Sequence, residues 1–374
     1  MAHLLVAVTA HGYGHLAQVA PVIHALRAQQ PELRITLQGN LNPDFVRYRL
    51  PADVEHLPIA ADVALPMDGP LQVRWEEGLQ RYQAFDAAYD QHLEQQMTRL
   101  LAVQPDLVLA DIPWLPLDAA RRLGIPAVGL CSLNWLDILL QSPVGHQVSQ
   151  TLTQRMRTAY AGAELFIRPT PSMPMPWLTN SHAVGPIAEQ QPGDPQRLRA
   201  RLGLAADQRL ILMQFGGTGT LAFDPAPLQH ARLQLLTADP GITHNPAVSR
   251  IGGPGLGLLE VLAACDAMIT KPGYGSFAEA ACHGLPVLYV PRDDWPETQV
   301  LIDWLREQVP TGVITPDHLA EGRIVEPLEA LLDQAQATQR TPVSPSGIEQ
   351  TVELLRPWLN NLGRQRLRNQ PVPL

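Results

Sequence analysis

The chain has 374 residues, 45% of them hydrophobic and 17% charged, which is the profile of an ordinary soluble globular protein long enough for two domains. Its formal net charge of −9 speaks against a nucleic-acid binder, whose footprint is basic. Three cysteines (Cys131, Cys265 and Cys282) at scattered spacings fit neither a disulfide framework nor a zinc site.

No stretch reaches the roughly 18 uninterrupted apolar residues of a membrane span. The N-terminus lacks the basic flank and cleavage site of a signal peptide, and "HLLVAV" reads as a buried strand. With the odd cysteine count, these features point to a cytoplasmic protein with no transmembrane segment and no nucleic-acid partner.

In chain order, "LLVAV" is followed by a helix from His15 to Gln29, then the strand "RITLQ". "DLVLA" at Asp106–Ala110 leads into a helix near Pro116–Leu123, and "PAVGL" follows. Apolar strands alternating with helices imply a parallel sheet covered on both faces. From Arg168 to Pro195 the texture changes: "RPTPSMPMPWLTN" and "QQPGDP" are too proline-rich for helix and read as the crossing between domains. The alternation then restarts, with "RLILMQF", "RLQLL", "AMIT" and "PVLYV" as strands and "LGLLEVLAAC" and "GSFAEAACHG" as helices. "GIEQTVELLRPWLNNL" reads as a terminal amphipathic helix. The expected division is 1–180, 181–345 and a C-terminal helix and tail at 346–374 that packs back on the first domain.

Two glycine-rich turns carry the chemistry. The first, "TAHGYGHLAQVAP" at 9–21, joins a strand to a helix, where glycines let backbone N–H groups approach a ligand. Gly12, Gly14 and Ala17 match the dinucleotide fingerprint G-x-G-x-x-A. The second strand, however, ends Gln38-Gly39-Asn40 without the acid that a nicotinamide cofactor needs, so NAD is disfavoured. The turn also holds His11 and His15. For His11 a structural role and a functional one stand level; His15, at the strand-to-helix switch, reads as functional. Asp111, ending the strand "DLVLA", is its candidate partner, with capping of the next helix as the plain alternative.

The second turn, "TKPGYGS" at 270–276, contains the only lysine of the chain, Lys271. Pro272 and Gly273 break the chain and Gly275-Ser276 start a helix whose N-terminus suits a diphosphate. Glu279, one turn inside, is placed for the two hydroxyls of a ribose, or closes a capping box with Ser276. "FGGTGT" at 215–220 is a second anion cradle or merely a tight turn. No G-x-x-x-x-G-K-[ST] sequence exists, which excludes a P-loop kinase.

Together these residues resemble the GT-B glycosyltransferases, an α/β fold of two Rossmann-like domains with parallel sheets facing across a cleft. "GHLAQVAPVIHAL" is similar to their Gly-His-x-x-P stretch, with three extra residues before the proline. "KPGYGSFAEA" with "GLPVLYVP" resembles the donor signature His-Cys-Gly-Trp-Asn-Ser-x-x-Glu of the plant enzymes. Lys271 takes the place of the histidine, Gly273, Ser276 and Glu279 match directly, and Gly275 replaces the asparagine. "HGYGH", "KPGYG" and "NWLD" at Asn134–Asp137 resemble more specifically the glycosyltransferase-like N-terminal half of plant arabinokinases and related bacterial proteins, without the kinase half.

The resemblance implies an inverting transferase with a nucleotide-diphosphate sugar, UDP-linked, as donor and a small-molecule or glycan hydroxyl as acceptor. His15 would be the general base oriented by Asp111, with His11 beside it. It implies that Gly14, Gly216, Gly217, Thr218, Lys271, Gly273, Tyr274, Gly275, Ser276 and Glu279 serve the donor. Glu297 and Gln299, or the acidic pair Asp293 and Asp294, would meet the donor sugar. Trp114, Asn134, Trp135 and Asp137 are expected at the acceptor, where Trp75 is a further ring available for stacking, although burial is the commoner fate of a tryptophan. No metal and no cofactor beyond the donor are expected. A UDP-N-acetylglucosamine 2-epimerase, which shares the architecture, and a non-catalytic nucleotide-sugar sensor are the alternatives.

Overall fold

A computed structural model describes residues 1–216, 221–242, 245–252, 256–338 and 340–368, with the side chains of 229, 230 and 361–368 left aside. The chain forms two compact units. The first contains Met1–Pro66, Arg74–Ile187 and the C-terminal segment from Ser346; the second contains Met67–Val73 and Ala188–Pro345.

In the first unit strands β1 (His3–Val8), β2 (Arg34–Gln38) and β3 (Glu55–Leu57) run to one side of the sheet. Strands β4 (Met67–Asp68) and β5 (Gln72–Val73) form a small antiparallel hairpin that belongs to the second unit. The first sheet resumes with β6 (Leu107–Asp111), β7 (Ala127–Leu130), β8 (Leu165–Pro169) and β9 (Ser181–Val184). Its order is β3-β2-β1-β6-β7-β8-β9, and every pairing is parallel. Strands β1 and β6 are fully buried, as the unbroken apolar runs require when helices cover both faces.

The terminal helix Gly347–Arg368 presents Val352, Leu355 and Leu359 at three- and four-residue spacing to the core of this unit, which also contains Leu16, Val19 and Ile23 of the helix Gly14–Gln29. The proline-rich stretch contains no helix until Pro195 opens the helix Pro195–Leu202, but it does contain β9, an edge strand paired with β8. The crossing into the second unit therefore comes at residues 187 and 188 rather than 180 and 181.

The second unit repeats the pattern with β10 (Arg209–Gln214), β11 (Leu233–Thr237), β12 (Val248–Arg250), β13 (Ala267–Thr270), β14 (Val287–Tyr289) and β15 (Thr311–Val313). Their order is β12-β11-β10-β13-β14-β15, again all parallel. The helix expected over 256–265 covers only Leu258–Leu262, because Gly257 is its N-cap. In each sheet the chain winds first to one side and then to the other of its first strand. The reversal falls between β1 and β6 in one sheet and between β10 and β13 in the other. Open α/β sheets bind ligands outside the carboxyl ends of strands at such reversals.

Candidate active site

In the first unit Val8, the last residue of β1, pairs with Asp111, the last residue of β6. The Gly12 turn, with φ +78°, leads straight into the helix that starts at Gly14. That geometry carries His15 back over the end of β6, where His15 Nδ1 lies 2.9 Å from Asp111 Oδ1. The carboxylate is completely buried, while the imidazole side chain keeps 12% exposure. Burial raises the Asp111 carboxyl above its ordinary value, and His15 beside it acts in the opposite sense. Asp111 does not cap the following helix, whose N-cap is Pro113 without a side-chain bond. A carboxylate on Nδ1 favours the tautomer with its proton there and the lone pair on Nε2.

Cys131, just after β7, brings its Sγ to 3.8 Å from His15 Nδ1. The ligand atoms of His15, Asp111 and Cys131 lie within 4.8 Å of one another, so the three have the donor types of a metal centre. Ligation through Nδ1 would, however, replace the bond to Asp111.

Sequence reasoning missed Asp62. It accepts from Thr9 Oγ1 at 3.0 Å and from Trp135 Nε1 at 2.7 Å. Burial lifts its carboxyl to about 6, against those two hydrogen bonds and the nearby His15, which pull it down. It sits in "AADVALP", a loop with no motif and no periodicity, and no signal in the sequence marks it. Trp135 ties the group together, since its ring is 5.3 Å from that of His11 (edge-on) and 6.0 Å from that of His15. His11 itself is half-buried, with its backbone N–H 3.4 Å from Thr9 Oγ1.

In the second unit Gln214 of β10 pairs with Thr270 of β13, and the Thr270 hydroxyl donates to the Gln214 carbonyl at 2.6 Å. Gly216 follows at φ +84°, a conformation that only glycine adopts without strain. Gly217 and Thr218 lie outside the described residues. After β13, Gly273 is the N-cap of the helix Tyr274–His283. The N–H groups of Tyr274, Gly275 and Ser276 thus have no intrahelical acceptor and concentrate positive potential there. An added Cβ on Gly273 would meet no atom closer than 4.0 Å, so the approach to this terminus is open.

Because Ser276 is inside the helix and not at its cap, the capping box expected as the plain role of Glu279 is absent; Glu279 is buried at 6% exposure. The Nζ of Lys271 donates to the carbonyl of Pro70, in the hairpin loop between β4 and β5, at 2.6 Å. Burial, and secondarily the Arg292 guanidinium, bring the lysine down to about 7.

Other expected site residues have different places. Trp114 is 1% exposed and stacks on Tyr89 at 5.3 Å, so it belongs to the core and has no face for an acceptor. Trp135 is also fully buried and underlies the histidines, and Trp75 is 7% exposed. Asn134 caps the helix Trp135–Gln141 by accepting from the Asp137 N–H, and Asp137 accepts from Trp177 Nε1 at 3.0 Å. These two polar residues are held by local structure. Asp293 and Gln299 are exposed, and the Gln299 amide donates to Asp303 one turn along. Glu297 is buried and accepts from Trp295 Nε1 at 3.3 Å, while Asp294 accepts from the Val73 N–H at 3.4 Å.

No family model matches the chain. Among curated proteins it is 24% identical over 315 residues to L-arabinokinase of Arabidopsis thaliana, covering 81% of this chain and 30% of that protein. It is also 24% identical over 245 residues to an uncharacterised glycosyltransferase of Methanopyrus kandleri, covering 61% and 68%. The chain thus spans less than a third of the length of the arabinokinase it matches.

Among solved structures, the spinosyn forosaminyltransferase SpnP superposes with a TM-score of 0.59 at 17% identity, over 94% of this chain and 98% of that one. The calicheamicin glycosyltransferase CalG4 gives 0.58 at 18%, over 97% and 99%. A Phytolacca americana enzyme complexed with UDP-2-fluoro-glucose and pterostilbene gives 0.57 at 15%, over 96% and 100%. With two parallel α/β sheets, each reversing at the carboxyl end of its first strand, and full-length superposition on these enzymes, the chain has the GT-B fold of glycosyltransferases.

Proposed function

We propose that the protein is an inverting glycosyltransferase that moves a sugar from a UDP-linked nucleotide-diphosphate donor to a hydroxyl acceptor. The observation that carries this reading is the His15–Asp111 pair, a half-sheltered imidazole on a buried carboxylate at the reversal point of the first sheet. His15 Nε2 takes the proton of the acceptor hydroxyl, and the freed oxygen attacks the anomeric carbon. The bond from that carbon to the diphosphate oxygen breaks as the new one forms, inverting the configuration. Asp111 holds the imidazole in the productive tautomer and stabilises the imidazolium.

The departing diphosphate gathers negative charge. Lys271, Ser276 and the N–H groups that open the helix Tyr274–His283 are the groups that meet it. Glu279 accepts from the ribose hydroxyls. Because these groups supply positive charge at the leaving oxygen, turnover is expected to persist in EDTA. The UDP-2-fluoro-glucose complex of the plant relative by fold supports the choice of UDP.

The test is incubation with UDP-sugars, with and without a panel of hydroxyl acceptors, while following UDP release. Acceptor-dependent release with an inverted product is the expected result. An epimerised donor formed without any acceptor would overturn the reading in favour of an epimerase.

A further inference from the structure

Among the described residues of the second unit, Arg292 is a buried cation without an anion. Arg292 follows β14, the strand beside β13, just as Lys271 follows β13; Thr270 and Tyr289 are register partners at the ends of these strands. Arg292 is 6% exposed. Among the described residues its Nε and Nη2 have no hydrogen-bond partner and its guanidinium makes no ion pair within 4.0 Å. Its visible contact is the face of Trp295, 4.7 Å from guanidinium carbon to ring centroid. Asp294 and Glu297 act on it electrostatically without pairing, and burial still brings it down to about 10.

A buried guanidinium whose donors go unmet is costly for the fold, and an arriving anion is one partner that would meet it. Lys271, which feels the charge of Arg292, is already engaged by the Pro70 carbonyl. A second, independent source of positive potential lies at the same sheet edge in the helix N-terminus capped by Gly273. A ring face against the guanidinium fixes its plane, which leaves the in-plane N–H fork for two oxygens of one phosphate.

We propose that Arg292 is the principal anchor of the donor diphosphate, gripping it through its N–H fork, with Lys271 joining when its bond to Pro70 is exchanged for a phosphate oxygen. This rests on the reading that the second unit takes a nucleotide-diphosphate sugar. It adds a residue that neither the glycine-rich turn nor the donor signature contains. It also ranks the two cations: the buried fork of Arg292 has no partner to give up, whereas Lys271 must first exchange one.

The test is calorimetry of the full chain with UDP, uridine and inorganic pyrophosphate, using wild type, Arg292→Gln, Arg292→Lys and Lys271→Ala. Arg292→Gln is expected to weaken UDP by about 10- to 100-fold and leave uridine within about twofold. Arg292→Lys, which keeps a charge but not the fork, is expected to recover only part of that loss. Since the substitution removes a buried unpaired charge, Arg292→Gln should melt no lower than wild type. If it does not fold, Arg292→Lys decides, with UDP weakened about 3- to 10-fold against unchanged uridine. UDP affinity within twofold of wild type in the folded variant overturns the proposal, as does a uridine loss equal to the UDP loss. Pyrophosphate separates the two ideas: binding that depends on Arg292, in a protein that binds no nucleotide, keeps the anion site and removes the donor reading. Nucleotide binding indifferent to Arg292 does the reverse.

Discussion

If the donor diphosphate meets Lys271, binding must take up a proton, and the amount follows from the structure. Burial and Arg292 set the lysine at about 7 in the unliganded protein, whereas beside a diphosphate it returns toward the ordinary ammonium range. At pH 8 roughly one lysine in ten is then charged before binding and nearly all after it, an uptake of about 0.9 proton per UDP. The apparent dissociation constant should rise roughly 25-fold between pH 7.5 and 9, a window in which the phosphate is already ionised. Arg292, at about 10, keeps its charge throughout that window.

Calorimetry in two buffers of different ionisation enthalpy reads the uptake directly, and a pH series reads the slope. Lys271→Arg, charged at every pH in the window, should bind UDP with the slope abolished. Lys271→Ala should be weak and flat. Uptake near zero at pH 8 in the wild type, or an unchanged slope in Lys271→Arg, would refute the placement of the anion at Lys271.

Other outcomes follow from the same geometry. His15→Ala is expected to lower turnover by about 10² to 10⁴ with UDP affinity unchanged, and Asp111→Asn to lower it with UDP affinity preserved; a drop seen only in His11→Ala moves the base to that residue. Glu279→Ala should weaken UDP and uridine together in calorimetry, and a fall in melting temperature without that loss assigns the carboxylate to the fold. Asp62, lifted to about 6 from an unfolded value near 4, binds more protons folded than unfolded in that interval, so it makes stability fall as pH rises from about 4 to 6. Asp62→Asn, whose amide can face Thr9 and whose carbonyl can face Trp135, should remove that slope in denaturant titrations. Trp114→Ala should cost about 3–5 kcal/mol of stability, read from chemical denaturation, without changing the acceptor KM.

The sequence was most informative where one local signal decided the structure. Apolar runs marked β1, β6 and β13, alternation marked β2, and glycine-rich turns marked both reversal points. It was weakest where distance in the chain decided. The strand "SHAV" has no apolar face to advertise it, because β9 is a half-exposed edge whose partner supplies the order. Asp62 became visible only when the loop folded over Thr9 and Trp135, 53 and 73 residues away in the chain. The contact of Lys271 with Pro70 spans 201 residues. Trp114 and Trp135 could serve as ligand platforms or as core rings, because residue type does not say which way a ring faces, and here helix packing turned both inward.

The assignment of residues 67–73 to the second unit and of the segment from Ser346 to the first has a consequence for synthesis. Each unit needs a piece encoded on the far side of the other's sequence. As the chain leaves the ribosome, the stripe that Val352, Leu355 and Leu359 will cover stays bare while the whole second unit is made, roughly ten to thirty seconds at bacterial or eukaryotic elongation rates. The half of the protein translated first is therefore the last to close, and its unfinished core is the surface that a trigger-type chaperone would have to shield. Cutting the gene at residue 188 would yield two fragments, each short of a part: one without its final helix, the other without the hairpin whose Pro70 carbonyl holds Lys271.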